Sequence, residues 1–188
     1  MKLLIHACCA DCLLKFVDSI KAENKEILEI EVYFYNPNIH PRSEYLARLK
    51  AIKKITEENR IKLIVADWSP KEWFKYQISL GCAASPFEER EKSKNKSRCE
   101  RCWELRLRKT FEYAKSKKFD LVSSTLITSH YQDSEKIIEI AKKLENKYKI
   151  KFLVPKKVSK ELKTKGFYKQ NYCGCCYSLV EAWGEKFN

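Results

Sequence analysis

The sequence predicts an α/β fold, a mostly parallel sheet flanked by helices, and three observations carry that prediction. Short apolar runs rich in β-branched and aromatic residues alternate with stretches whose apolar residues recur every three or four positions, the order of a parallel sheet with crossover helices. Hydrophobic residues make up 44% of the 188 and aromatic residues 12%, enough for one folded domain with its own core, spanning 1–188. No internal repeat or low-complexity tract interrupts the alternation.

The elements follow in order. Lys2–Ile5 is a short apolar run that leads into three thiols, Cys8, Cys9 and Cys12, and then into a helix with Leu13, Leu14, Phe16, Val17 and Ile20 on its apolar side. Strand, turn and helix therefore place the thiols at the carboxyl end of a strand and the amino end of a helix. Ligands bind there in open α/β sheets, and the helix dipole favours thiolates. A charged turn, 21–29, precedes a second strand, Ile30–Tyr35, which stops at the turn Asn36-Pro37-Asn38-Ile39-His40-Pro41. Tyr45, Leu46, Leu49, Ile52 and Ile55 mark the next helix, and Ile61–Ala66 a third strand. Pro70 opens a helix carrying Trp73, Phe74 and Ile78 that ends near Gly81.

Residues 82–96 read as a loop ending in a solvated charge run. Ser97 and Glu100 form a capping box for a helix through Trp103, Leu105, Leu107, Phe111 and Tyr113. Phe119–Leu126 is a fourth strand with a hydroxyl-rich end at Thr128-Ser129-His130. Asp133–Asn146 is a helix and Ile150–Val154 a fifth strand. The chain closes through Tyr172-Cys173-Gly174-Cys175-Cys176 into a last short helix.

Lys and Arg number 38 against 25 Asp and Glu, a formal charge of +13 spread along the chain. That balance points to a polyanionic partner, nucleic acid first, rather than to a disordered basic arm. No apolar run reaches the roughly 18 residues of a membrane span. The four-residue run before Cys8 lacks the hydrophobic region of an export signal, so the expectation is a cytoplasmic protein without a membrane partner.

Nine cysteines in such a protein point to metal or redox chemistry before structural disulfides. They fall in three groups, Cys8, Cys9 and Cys12; Cys99 and Cys102; Cys173, Cys175 and Cys176, with Cys82 apart. Two pairs at helix starts supply four sulfurs, enough for zinc or an iron–sulfur cluster, and the adjacent Cys8-Cys9 pair is unusual for zinc. Cys173-Gly174-Cys175 suits a redox-exchanging dithiol or two ligands of a second metal. Asp11 is either a hard oxygen ligand for that metal or a helix-capping residue.

At this point the residues carry a resemblance. His6-Ala7-Cys8-Cys9-Ala10-Asp11-Cys12, Phe34-Tyr35-Asn36-Pro37-Asn38-Ile39-His40-Pro41, Glu44-Tyr45, the segment from Arg98 to Leu107 and Gln170-Asn171-Tyr172-Cys173-Gly174-Cys175 together resemble the QueH-type epoxyqueuosine reductases. The resemblance covers nearly the whole chain in order. It implies a cobalamin-independent enzyme that reduces the epoxide of epoxyqueuosine in a tRNA anticodon loop to queuosine. It also implies a fold akin to adenine-nucleotide α-hydrolase (Rossmann-like) domains and a [4Fe-4S] cluster. Cys8, Cys9, Cys99 and Cys102 match the family's cluster cysteines, and Cys173 and Cys175 its second pair. Asp11 stands where the family usually has proline, the segment 123–126 departs from the family's threonine run, and Cys176 is extra.

Removing an epoxide oxygen requires two electrons, two protons and loss of water, supplied by an electron donor that the sequence does not name. Two readings stay open for Cys173 and Cys175. With Asp11 they hold a second, mononuclear iron that polarises the C–O bond, or they cycle between dithiol and disulfide. A substrate base splayed from the anticodon loop would stack on aromatic side chains; Tyr35, Trp103, Tyr131, Phe167, Tyr168 and Tyr172 are candidates. The basic stretches 92–98 and 156–169 are candidates for phosphates, and His6 and His40 for proton donors. A tRNA thiolase would need a glycine-rich ATP loop after the first strand, where this chain has cysteines. A zinc-stabilised RNA-binding module would be colourless where a cluster protein is brown.

Overall fold

The computed structural model describes residues 1–79, 98–156, 168 and 171–187. Five parallel strands form one sheet in the order β3-β2-β1-β4-β5: β1 Lys2–His6, β2 Glu29–Phe34, β3 Lys62–Val65, β4 Leu121–Ser124 and β5 Lys151–Phe152. The helices are α1 Ala10–Glu23, α2 Arg42–Glu58, α3 Pro70–Ser79, α4 Arg98–Ser116, α5 Ser134–Tyr148 and α6 Cys176–Phe187.

Side chains alternate across a strand, and the core divides accordingly. Leu3 and Ile5 of β1, Val32 and Phe34 of β2 and Leu121 of β4 pack against Leu13, Phe16 and Ile20 of α1 and Ile52 and Ile55 of α2. Leu4, Tyr33 and Val122 face the opposite side, where Trp73 of α3, Leu105 and Phe111 of α4, Ile137 and Ala141 of α5 and Tyr177 of α6 cover them. Both faces of β1 are thus buried, as its unbroken apolar run requires. Cys8, Cys9, Cys102 and Cys175 belong to the second cluster, with Cys12, Cys173 and Cys176 packed on it. The strand order reverses between β1 and β4, and the crevice beyond such a reversal is where open α/β sheets bind ligands.

Several expected elements take a different form. β4 ends at Ser124, whose Oγ accepts from the Leu126 N–H at 3.2 Å and turns the chain into a short 3-10 helix, Thr125–Thr128. The fifth strand pairs only over Lys151–Phe152. Leu46, Phe74 and Ile78 lie on the outer faces of α2 and α3 and are exposed. Glu100 pairs with Lys136 at 3.3 Å, while its expected capping partner Ser97, the helix end at Gly81, the loop 82–96 and Phe167 lie outside the described residues. Asp133 caps α5, accepting from Lys136 N–H at 3.1 Å. No helix among the described residues is long and apolar enough to cross a membrane.

Candidate active site

The first thiols are set by the way β1 and β2 end. Ala7 N–H donates to Tyr33 O at 3.1 Å, and Asn36 Nδ2 donates back to Ala7 O at 2.8 Å. The chain leaves β1 through Cys8, and extended Cys9 stands at the N-cap of α1. His6 is clamped between Ser124 Oγ at 2.9 Å and Tyr35 O at 3.1 Å. Burial, reinforced by the Arg106 charge, holds its pKa well below the ordinary value. His6 is a neutral strut between β1, β2 and β4.

A cavity of about 310 Å³ opens beside this point. Its wall carries Cys99 and Cys102 from α4, Cys173 and Cys175 from the C-terminal turn, and Trp73, Arg106, Trp103 and Asn38. Tyr131, Gln132, Tyr172 and Tyr177 add aromatic and amide surface. Trp103 Nε1 donates to Gln132 Oε1, joining α4 to the segment before α5. Such a mixture of apolar walls and a few convergent polar groups is the composition of a small-molecule or nucleobase pocket.

The turn bearing Cys173 and Cys175 is anchored from α2. Arg48 is buried, donates from Nε to Glu44 Oε1 at 2.6 Å, and reaches Cys173 O and Tyr172 O, each at 3.1 Å. His40 N–H donates to Gly174 O at 2.8 Å, and Tyr172 O–H donates to His40 O at 2.6 Å. Tyr168 O–H donates to Glu44 Oε2. Gly174 has φ +117°, and a Cβ there would stand 3.1 Å from Arg48 Nη1, so the close approach requires glycine.

The thiols differ in their readiness to ionise. Mutual hydrogen bonding and burial push Cys8 well up, and a hydrogen bond with Cys12, with burial behind it, brings Cys9 to about 12. Burial also raises Cys102, against the pull of Arg106 and of the Trp73 indole. Cys173 and Cys175 have sulfurs 3.5 Å apart and share a hydrogen bond. That bond lowers Cys173 to about 6 and raises buried Cys175, which keeps the proton. Positive charge favours the ionised form of the other buried thiols: Arg106 and Arg48 pull against the rise at Cys8 and Arg106 against that at Cys102, as a bound metal would.

Of the expected site residues, Cys99, Cys102, Cys173 and Cys175 share the cavity wall, with Cys99 at its exposed rim. Cys8 and Cys9 belong to the same apolar cluster as Cys102 and Cys175 and are not among the residues lining the cavity. Asp11 does not line it either; its Oδ2 pairs with Lys15 at 3.0 Å on the first turns of α1. Among the described residues, no three Cys, His, Asp or Glu side chains stand grouped as ligands of a single ion. The donor chemistry nevertheless suits an anionic iron–sulfur group: clustered thiols, two guanidinium charges, and two buried N–H donors without acceptors, Trp73 Nε1 and Arg106 Nε.

Trp103, Tyr131 and Tyr172 of the proposed stacking residues reach the cavity, whereas buried Tyr35 donates to Glu72 Oε2 at 2.9 Å and Tyr168 is tied to Glu44. His40 packs on Trp73 and Phe74. Arg48, Arg106, Asn38, Trp73 and Gln132 escaped the sequence reading. Arg106 had a signal: it stands four residues after Cys102 and shares its helix face. Arg48, four residues after Glu44, looks like any surface ion pair.

The architecture and this wall define a parallel α/β domain with thiols gathered at one cavity. A sequence profile for epoxyqueuosine reductase QueH matches residues 3–181, so the chain belongs to the QueH family. An epoxyqueuosine reductase QueH of Thermotoga maritima is 32% identical over 189 residues, spanning 95% of this chain and 90% of the relative. One of Dehalococcoides mccartyi is 31% identical over 191 residues, 98% of this chain and 96% of the relative. In fold, the chain is similar to the U34-tRNA thiolase NcsA from Methanococcus maripaludis, solved with its [4Fe-4S] cluster. That likeness has a TM-score of 0.54 and 16% identity, over 100% of this chain and 67% of the thiolase.

Proposed function

We propose that this chain, as one catalytic domain over 1–188, reduces epoxyqueuosine in a tRNA anticodon loop to queuosine. The observation that carries the reading is the family match across 3–181 combined with a cavity lined by Cys99, Cys102, Cys173 and Cys175. The reaction takes up two electrons and two protons and releases water, so the domain must hold a redox group and exclude bulk solvent from the reacting carbons.

Cys8, Cys9, Cys99 and Cys102 are proposed to hold a [4Fe-4S] cluster, whose contribution when bound is the delivery of electrons from an external donor. Cys173 and Cys175 act at the cavity wall, either with Asp11 as ligands of a separate mononuclear iron or as a dithiol. In the dithiol case, two S–H bonds give up two electrons and two protons as the disulfide forms, which balances the loss of water from the epoxide. Asp11 would have to exchange its Lys15 partner to serve as a ligand. Trp103, Tyr131 and Tyr172 offer stacking surfaces for a splayed base, and the basic balance of the chain favours a polyanion. A cytoplasmic location, where tRNA is modified, completes the proposal.

The test is anaerobic incubation of the purified protein with a reductant and tRNA carrying epoxyqueuosine, followed by nucleoside mass spectrometry. Queuosine should form with the parent chain and not with Cys102→Ser. Cys173→Ser should abolish turnover under either reading; loss of iron in that variant selects the metal role, and unchanged iron the dithiol. Intact epoxyqueuosine after incubation with iron-replete parent protein would overturn the assignment.

A further inference from the structure

Two of the most buried polar side chains on the cavity wall have donors with no acceptor among the described residues. Trp73 is 1% exposed and Arg106 2%, and both line the cavity together with Cys102. Among the described residues, the indole Nε1–H and the guanidinium Nε–H have no hydrogen-bond acceptor. Arg106 is otherwise engaged, its Nη2 donating to Asn36 Oδ1 at 2.7 Å. Most buried donors in native proteins are paired, and an idle one calls for an explanation, such as a redox or catalytic role or a bound water or ion.

Packing does not account for the indole nitrogen. Trp73 packs at tilted and edge-on angles against the rings of His40, Phe74 and Tyr177, contacts that a phenylalanine would largely preserve. Both side chains share the cavity wall with Cys102. Arg106 follows Cys102 by one helical turn, and Trp73 lies in the same apolar cluster as Cys102.

We propose that Trp73 Nε1–H and Arg106 Nε–H donate to the Cys102 sulfur when it is ionised as a cluster ligand, and thereby raise the reduction potential of the cluster. The inference rests on the reading that Cys102 ligates an iron–sulfur cluster. N–H donors stabilise the more negative, reduced form more than the oxidised form, so hydrogen bonds to the sulfurs make reduction easier.

The experiment uses the full chain, purified anaerobically and reconstituted with iron and sulfide. Trp73→Phe keeps the ring contacts and deletes the N–H; Arg106→Lys keeps the charge and deletes the Nε–H. Iron and sulfide content is measured first, then the midpoint potential by redox titration followed in the visible and EPR spectra. Both variants should retain full iron and sulfide with a midpoint lower than the parent's, while Phe74→Leu, an exposed neighbour, should match the parent. A parental midpoint in both variants at full cluster content would overturn the inference. So would loss of the cluster from folded Trp73→Phe, which would make the indole a retention group. If Trp73→Phe does not fold, Arg106→Lys decides alone. A parent chain that takes up no iron and sulfide would instead overturn the cluster reading, and this inference with it.

Discussion

Replacing Arg48 by methionine removes a buried cation that holds the Cys173 turn against α2. Arg48 is 1% exposed and its Nε meets Glu44 Oε1 at 2.6 Å. Removing one member of a buried ion pair leaves the other charge uncompensated, at about 3–5 kcal/mol. The carbonyls of Tyr172 and Cys173 lose their donors as well, but a loosened turn can offer them to water, so most of that cost is relieved. The expected loss is about 4 kcal/mol, nearly three decades in the unfolding equilibrium at about 1.4 kcal/mol per decade. Urea unfolding of the full chain should show a lower midpoint at unchanged m-value. Adding Glu44→Gln to Arg48→Met should restore a large part of the loss, because the stranded carboxylate is then gone. A loss below about 1 kcal/mol for the single variant would refute the reasoning, as would strictly additive effects in the double variant.

Two further outcomes follow from the same geometry and from the far end of the sheet. Gly174→Ala puts a methyl group 3.1 Å from Arg48 Nη1 at φ +117°, for which a cost of about 1–3 kcal/mol is expected; an unchanged Tm would show that the turn is not held as described. Glu145 accepts from Phe152 N–H at 2.8 Å and pairs with Lys142 at 2.9 Å. Burial opposes its ionisation, but those two partners prevail and hold its carboxyl below the ordinary range. A folded pKa below the unfolded value of about 4.3 gives stability that is present above that pH and fades as pH falls through the carboxylate range. Glu145→Ala should therefore cost about 1 kcal/mol at pH 7, after allowance for partial exposure, and almost nothing near pH 3. Equal losses at both pH values, read by urea unfolding, would contradict this.

Local patterns in the chain determined the α/β class, the five strands, the helix opened by Asp133 and the placement of Cys8 and Cys9 between β1 and α1. Those features depend on residues a few positions apart, so spacing alone reveals them. The pairing of Cys99 and Cys102 with Cys173 and Cys175 was legible only as an expectation that thiol groups meet. Three-dimensional packing decided that these four share one wall while Cys8 and Cys9 do not line it. It also decided that Asp11 pairs with Lys15 and that Ser124 turns β4 into a 3-10 helix. Arg48 shows the reason most clearly. Its sequence neighbours suggest a solvated ion pair, but its acceptors are the carbonyls of Tyr172 and Cys173, 124 and 125 residues away. Whether a charge or an indole N–H is a surface ornament or part of a site depends on which distant backbone and sulfur atoms the fold delivers to it, and no local period encodes that.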